Sequence, residues 1–166
     1  MNTGDLEASR KAYRELVHKR LAAFEPRLRE ALAPLRDAAL PAGATVGFEV
    51  FVAELEDRFP VHAYVIDHPD EPDHPATDAL NATMERWPSV LHHGDEAPFV
   101  RWTTGPDGET DHADEQVWDD EPGETALIDM FARVWASLDL DGAVPRAFIR
   151  IHDGGPTTWL SGGPGA

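Results

Sequence analysis

The spacing of the apolar residues changes abruptly near residue 40, and this change constrains the fold more than any other feature of the chain. Before it, large apolar side chains recur at steps of three and four residues, which is the repeat of one face of an α-helix. The stripe consists of Tyr13, Val17, Leu21, Phe24, Leu28, Leu32 and Leu35. It predicts helix over residues 5–39, kinked or broken into two near Pro26 because proline removes a backbone hydrogen bond. Such a stripe is typical of a helix packed on a core, with a dimer seam as the alternative.

After Pro41 and Gly43 the apolar residues alternate with a period of two, which is typical of β-strands. Strands are predicted over residues 46–52 and 59–66, joined as a hairpin by a short polar connection. The same order, one helix and then two strands, is predicted twice more. These further helices are expected from Thr77 or Asp78 to Trp87 and over residues 125–138, and the strands over residues 99–103, from 109 to about 118, 146–151 and 157–160.

These elements predict the fold class. Short connections favour antiparallel strand pairs, and a sheet with an apolar face needs helices to cover it. We therefore expect one α+β domain over residues 1–160 and a flexible tail over residues 161–166. The expected architecture is an antiparallel sheet of about six strands, covered on one face by helices, in the order α-ββ-α-ββ-α-ββ.

The composition excludes several classes of function. The chain has no cysteine, which excludes disulfides, a thiolate nucleophile and a cysteine-ligated zinc. No apolar run approaches the ~20 residues of a membrane-spanning helix, and the first residues lack the apolar stretch of a secretion signal. We therefore expect a cytoplasmic protein. The net charge of -17 disfavours nucleic acid as a ligand, because phosphate binding needs a basic surface.

The charge is distributed unevenly along the chain. Residues 1–40 contain eight Lys or Arg and six Asp or Glu, whereas residues 41–166 contain six and twenty-five. Such acidity is typical of a solubilising surface, and it is equally typical of a surface that attracts a cationic partner. The sequence leaves both interpretations open.

One tetrapeptide pattern, His-x-Asp-Glu, occurs three times, beginning at His68, His93 and His112. The first copy lies in DHPDEPDHP, where three prolines predict an exposed loop. We weigh three interpretations: solvated acidic loops, patches that face a basic protein, and a metal site, because imidazole and carboxylate together can bind zinc, manganese or iron. The metal candidates are His68, His93 and His112. The candidate partner-binding residues are Asp67, Asp70, Glu71, Asp73, Asp95, Glu96, Asp114, Glu115, Asp119 and Asp120.

Patterns typical of enzymes are scarce. None of the four serines lies in a Gly-x-Ser-x-Gly turn, and no phosphate-binding or dinucleotide-binding loop is present. We therefore predict no catalytic residue and no cofactor, and the sequence favours a protein that is not an enzyme. The aromatic residues Tyr64, Phe99, Trp102 and Trp118 could line a pocket, although cores use such residues more often.

Three segments carry a resemblance to a known family. They are Leu40 to Thr45 with the following Phe48 to Val52, the Ala79-Leu80-Asn81 helix start, and Val134 to Leu138. Together they resemble an uncharacterised actinobacterial family of small acidic α+β proteins, a domain of unknown function. The resemblance implies the fold and supplies no activity or site. In size, acidity and element order the chain is also similar to immunity proteins that neutralise bacterial toxins.

These observations lead to one expected function and two alternatives. The expected function is a non-enzymatic acidic binding module that captures a basic protein. The first alternative is a metal-binding protein or metal-assisted hydrolase that uses the His-x-Asp-Glu loops. The second is a structural homodimer.

Overall fold

The computed structural model describes residues 3–38, 40, 43–51, 58–66, 74–91, 102–104, 110–112, 121–138, 146–152 and 155–163. Along these residues one helix is followed by two strands, three times over. The elements are α1 (Thr3–Asp37), β1 (Thr45–Val50), β2 (Val61–Ile66), α2 (Pro75–Met84), β3 (Trp102–Thr104), β4 (Thr110–His112), α3 (Glu121–Ser137), β5 (Arg146–Ile151) and β6 (Thr158–Ser161). The α+β class and the order of elements along the chain are as expected.

The arrangement of the strands differs from the prediction. Four strands form a mixed sheet in the order β2-β1-β5-β6, in which β1 and β5 run parallel and the outer pairs are antiparallel. Among the described residues, the strands β3 and β4 pair only with each other. A single antiparallel sheet of about six strands is therefore wrong.

The reason lies in which strands have an apolar face to bury. Val46, Phe48 and Val50 of β1 and Ala147 and Ile149 of β5 are buried, so these two strands occupy the centre. The chain between them includes two helices, and such a crossover is what a parallel pair needs. In contrast, β3 and β4 have three residues each, mostly polar, and bring no apolar row that could join the main sheet.

The helices cover one face of the sheet, as predicted. All seven residues of the α1 stripe are buried and belong to one core cluster with residues of α2, α3 and the inner face of the sheet. Phe48 of β1 packs against Phe131 and Trp135 of α3, with ring centres 5.3 and 5.9 Å apart. The stripe is therefore core packing within the chain.

Helix α1 continues through both of its prolines, so of the two predicted alternatives the break into two helices near Pro26 is wrong, and the kink stays a prediction. Pro26 and Pro34 lie on its exposed side. The carbonyl groups that they leave without a helical partner belong to Ala22 and Glu30, which are exposed as well. Water can satisfy these carbonyls, and the cost of each proline is reduced.

Helix α2 starts earlier than predicted, because His74 rather than Thr77 or Asp78 caps it. The Nδ1 atom of His74 accepts a hydrogen bond from the Ala76 amide at 3.2 Å, and Pro75 occupies the first turn, where no amide hydrogen is needed. Thr77 is fully buried and donates to the His74 carbonyl at 2.9 Å. The helix ends at Met84, before the predicted Trp87.

Asn81 of α2 closes the outer edge of β2. Its Oδ1 accepts from the Ala63 amide and its Nδ2 donates to the Ala63 carbonyl, both at 2.8 Å. The side-chain amide thereby replaces a neighbouring strand, which protects an edge that could otherwise pair with another chain. Helix α3 also starts earlier than predicted, at Glu121, and its Trp135 indole donates to Ser161 at the end of β6 at 3.2 Å. Residue 161 thus closes a strand, and residues 164–166 lie outside the described residues.

Candidate functional site on the outer face of the sheet

The face of the sheet that points away from the helices, called the outer face below, carries an unusual set of residues. The pairing of strands places Gly47 between Tyr64 and Phe148, and Glu49 between His62 and Arg150. The outer face consists of Thr45, Gly47, Glu49, Phe51, His62, Tyr64, Ile66, Arg146, Phe148, Arg150, His152 and Trp159. It combines aromatic and charged side chains, whereas the residues that β1, β2 and β5 contribute to the core on the inner face are apolar.

An aromatic row crosses the outer face from β2 to β6. Tyr64 meets Phe148 edge to face with ring centres 6.2 Å apart, and Phe148 meets Trp159 in the same manner at 5.6 Å. The two rings nearest β1 close over Gly47. A Cβ atom at position 47 would lie 2.6 Å from Cζ of Tyr64 and 2.9 Å from Cζ of Phe148, so the row requires glycine there.

Trp159 is the exposed end of this row. Its side chain is held on two sides, since the Arg146 guanidinium lies 5.3 Å from the ring centre and Gly163 packs closely against the ring. Even so, the residue is 37% exposed. At the opposite end of the sheet, Ile66 is 49% exposed. These are the large apolar residues that stand out as exposed among those that the structure describes.

A charged network centred on Glu49 lies beside the row. Its Oε1 atom accepts from Nε of Arg150 at 2.7 Å, from Nη2 of the same residue, and from the Tyr64 hydroxyl at 3.3 Å. Its Oε2 atom lies 3.3 Å from Nδ1 of His152, whose ring stacks on Phe51 at 4.2 Å. The carboxylate therefore connects β1, β2 and β5 across the outer face.

The electrostatics of this network suit a fixed scaffold. Burial by itself would raise the pKa of Glu49, but the hydrogen bonds and charge of Arg150, with those of His152, outweigh it and hold that pKa below its ordinary value. Burial and the nearby Glu49 charge raise the pKa of Tyr64, and the hydrogen bond to Glu49 raises the pKa of Arg150. All three shifts lead away from neutral pH, where a general acid or base would be needed.

The partner-binding residues proposed from the sequence all lie outside the described residues, from Asp67 to Asp120. The same holds for His68 and His93. His112 ends β4 opposite Trp102, and only its backbone is described. Among the described residues, no group of three His, Asp or Glu side chains could hold a metal ion. The acidic patches and the metal site both stay predictions.

The part of the chain after residue 40 carries its acidic excess, and only some of the charged side chains there are described. After residue 40, the described side chains include five acids and five arginines. The acids are Glu49, Asp78, Glu85, Glu124 and Asp129, and the bases are Arg58, Arg86, Arg133, Arg146 and Arg150. The other twenty acids of this part include Asp111 of β4 and Glu121 of α3, and the remaining eighteen lie, with Arg101, outside the described residues. Over residues 41–166 the acids outnumber the bases by nineteen, so most of these carboxylates have no basic residue in this part of the chain to pair with.

Sequence reasoning missed the outer face as a site. Tyr64 was considered for a pocket, but its partners there are Gly47, Glu49 and Phe148. A signal was present in the strand Arg146–Ile151, where two arginines alternate with an aromatic residue on the side that should be polar. Which residues on other strands face them depends on the parallel pairing of β1 with β5, which the sequence did not predict.

Comparisons of the chain with models of protein families, with curated proteins and with solved structures give no match. In the part of the chain that the structure describes, no helix has the length and apolar character needed to cross a membrane.

Proposed function

We propose that this protein is a non-enzymatic binding module that captures a basic protein, in the manner of an immunity protein. The observation that carries the proposal is the excess of acids, since residues 41–166 contain twenty-five acids and six arginines. Even if every Lys and Arg of the chain paired with one acid, seventeen of the thirty-one acids would have no basic residue within the chain to pair with. This excess negative charge is available to attract a basic partner.

Charge of one sign on a protein surface attracts an oppositely charged partner and speeds the encounter. The attraction acts over about 10 Å at moderate salt and fades as salt rises. A basic partner fits a chain of net charge -17 for this reason. A partner met inside the producing cell goes with a cytoplasmic location, and membership of the acidic actinobacterial family is part of the same proposal.

The outer face supports a binding role over a catalytic one. Tyr64 and Arg150 both donate hydrogen bonds to Glu49, and the pKa values of all three groups are shifted away from neutral pH. Such groups hold side chains in place and are poor at moving protons during a reaction.

The test begins with the immobilised chain and an extract of its host. At about 20 mM salt we expect it to retain a basic protein that is released at about 500 mM salt. The retained protein is then purified, and its binding to the pure chain is measured by calorimetry. Failure to retain any basic protein at low salt would overturn the proposal.

A pair of variants with the same change in net charge tests whether the acids near Asp70 matter to the partner beyond their contribution to the total charge. The first variant carries Asp70→Asn, Glu71→Gln and Asp73→Asn. The control carries Glu15→Gln, Glu30→Gln and Asp129→Asn, which replace exposed acids of the helices α1 and α3. Each variant removes three negative charges. We expect the first to slow association by about tenfold and the control to change it by less than about threefold. Equal effects would show that the partner responds only to total charge.

A further inference from the structure

We infer that the basic partner docks on the outer face, with Trp159 as its anchor, and presents to it an apolar side chain beside a carboxylate. This inference rests on the proposed function and adds to it the docking surface and the chemistry of the contact. It is carried by the exposure, rigidity and charge of the outer face.

The first argument is exposure. The helices bury the inner face of the sheet, while the outer face leaves Trp159 37% and Ile66 49% exposed. Tyr64, Phe51 and Thr45 are half-buried there, and Arg146 and Arg150 are exposed. Tryptophan, tyrosine and arginine are the residues that most often contribute the binding energy of protein interfaces. This face brings all three together.

The second argument is rigidity. Trp159 is fixed between Arg146 and Gly163, and its edge contacts Phe148, which is almost fully buried. Tyr64 is fixed by its hydrogen bond to Glu49 and by the close packing of its ring over Gly47. A surface whose side chains are already ordered loses little conformational entropy when a partner docks.

The third argument is charge complementarity. On the outer face Arg150 is neutralised by Glu49. Arg146 donates to the Gly162 carbonyl at 2.9 Å and stacks on Trp159, and none of the described carboxylates forms an ion pair with it. An arginine that lies on an aromatic ring and keeps free donors is suited to a carboxylate.

The two kinds of charge define the partner. Its overall basic surface complements the acidic excess of the chain, and one acidic residue of the partner complements Arg146 beside Trp159. A second copy of this chain is a poorer fit, since two copies of charge -17 repel each other.

The test uses the partner retained in the experiment above, with calorimetry at low and high salt. We expect Trp159→Ala to weaken binding by about 30-fold or more, as loss of an interface anchor does. Arg146→Glu should weaken binding by about tenfold more than Arg86→Glu, a control with the same charge change in the exposed segment after α2. The fold loss with Trp159→Ala should be the same at about 20 mM and at about 150 mM salt, because an apolar contact is not screened.

The outcomes separate the two proposals. If a basic partner binds and both Trp159→Ala and Arg146→Glu leave its affinity within about twofold, the docking surface is wrong and the proposed function stands. If no basic partner is retained, both fall. If light scattering shows a dimer, and Trp159→Ala converts it to a monomer, the occupant of the outer face is a second copy and the assignment to a basic partner is overturned. Thermal melting of each variant shows that a lost affinity does not come from unfolding.

Discussion

The two faces of the central sheet are formed by the same strands but are stabilised by different kinds of interaction. On β1, Val46, Phe48 and Val50 point inward and are buried against three helices. The residues between them, Gly47 and Glu49, point outward into an aromatic row and a charged network. The inner face is stabilised by the burial of apolar surface, a large and non-directional contribution that many apolar residues can supply. The outer face is held by a few directional contacts. It therefore contributes less to the stability of the fold, and it fixes the positions of the side chains on the surface.

The largest expected effect compares two phenylalanines on adjacent central strands. Phe48→Ala, on the inner face, should lower the free energy of unfolding by about 3–5 kcal/mol, because the cavity between β1 and α3 stays closed to water. Phe148→Ala, on the outer face, should cost at least about 1 kcal/mol less, since solvent and neighbouring rings can fill the space. Urea unfolding of both variants measures the difference. Equal costs would break the distinction between the two faces.

The next effect is at Gly47. A Cβ atom there would meet the rings of Tyr64 and Phe148 at 2.6 and 2.9 Å, so Gly47→Ala must push the aromatic row apart. We expect a loss of about 1–3 kcal/mol in the free energy of unfolding, together with weaker partner binding.

The double variant Gly47→Ala with Tyr64→Ala is the control for this prediction. Removing the ring that clashes should recover part of the stability lost with Gly47→Ala alone. Two fully additive losses would show that the close packing over position 47 does not cause the effect.

The Glu49 network should contribute a pH-dependent stability of intermediate size. Glu49→Gln removes the ion pair with Arg150 and should cost about 1–2 kcal/mol near neutral pH, reduced by the partial exposure of Arg150. The folded pKa of Glu49 lies below its ordinary value of 4.5. The contribution is therefore fully present above pH 4.5 and is lost as the pH falls through the lowered folded pKa.

Urea unfolding of the wild type and of Glu49→Gln at neutral pH and at progressively lower pH tests this sign. The difference in stability between the two proteins should shrink on acidification. A difference that grows as the pH falls would mean that the carboxyl group is protonated in the fold and that the network is not the ion pair described above.

The smallest expected effect is at Ile66, at the exposed end of the outer face. Ile66→Thr should change the free energy of unfolding by less than about 0.5 kcal/mol, because the side chain is 49% exposed and threonine keeps the β-branched shape. The matched change at the neighbouring inner-face residue, Val65→Thr, should lower the free energy of unfolding more, because it buries a hydroxyl group. Thermal melts of the pair suffice. A larger loss at Ile66 than at Val65 would show that the outer face is covered in solution.

The sequence by itself determined the local structure and the distribution of charge. A repeat of three and four residues requires helix wherever an apolar stripe must be buried, and alternation requires a strand, so α1, β1, β2, α3 and β5 follow from spacing alone. Element ends were less accurate because they depend on single caps. A histidine is an uncommon cap, and the pattern of residues favoured Thr77 or Asp78 over His74.

Tertiary structure decided which strands are neighbours, and with that the candidate site. The parallel pairing of β1 with β5 joins residues about one hundred positions apart, such as Glu49 and Arg150, and no local pattern encodes such a contact. The same pairing sets Phe148 beside Gly47, so the glycine that looks unremarkable within its strand becomes the position over which two rings close. Periodicity reports which face a side chain lies on. Its partners across the sheet follow from the competition among strands for the buried centre, which only the whole fold resolves.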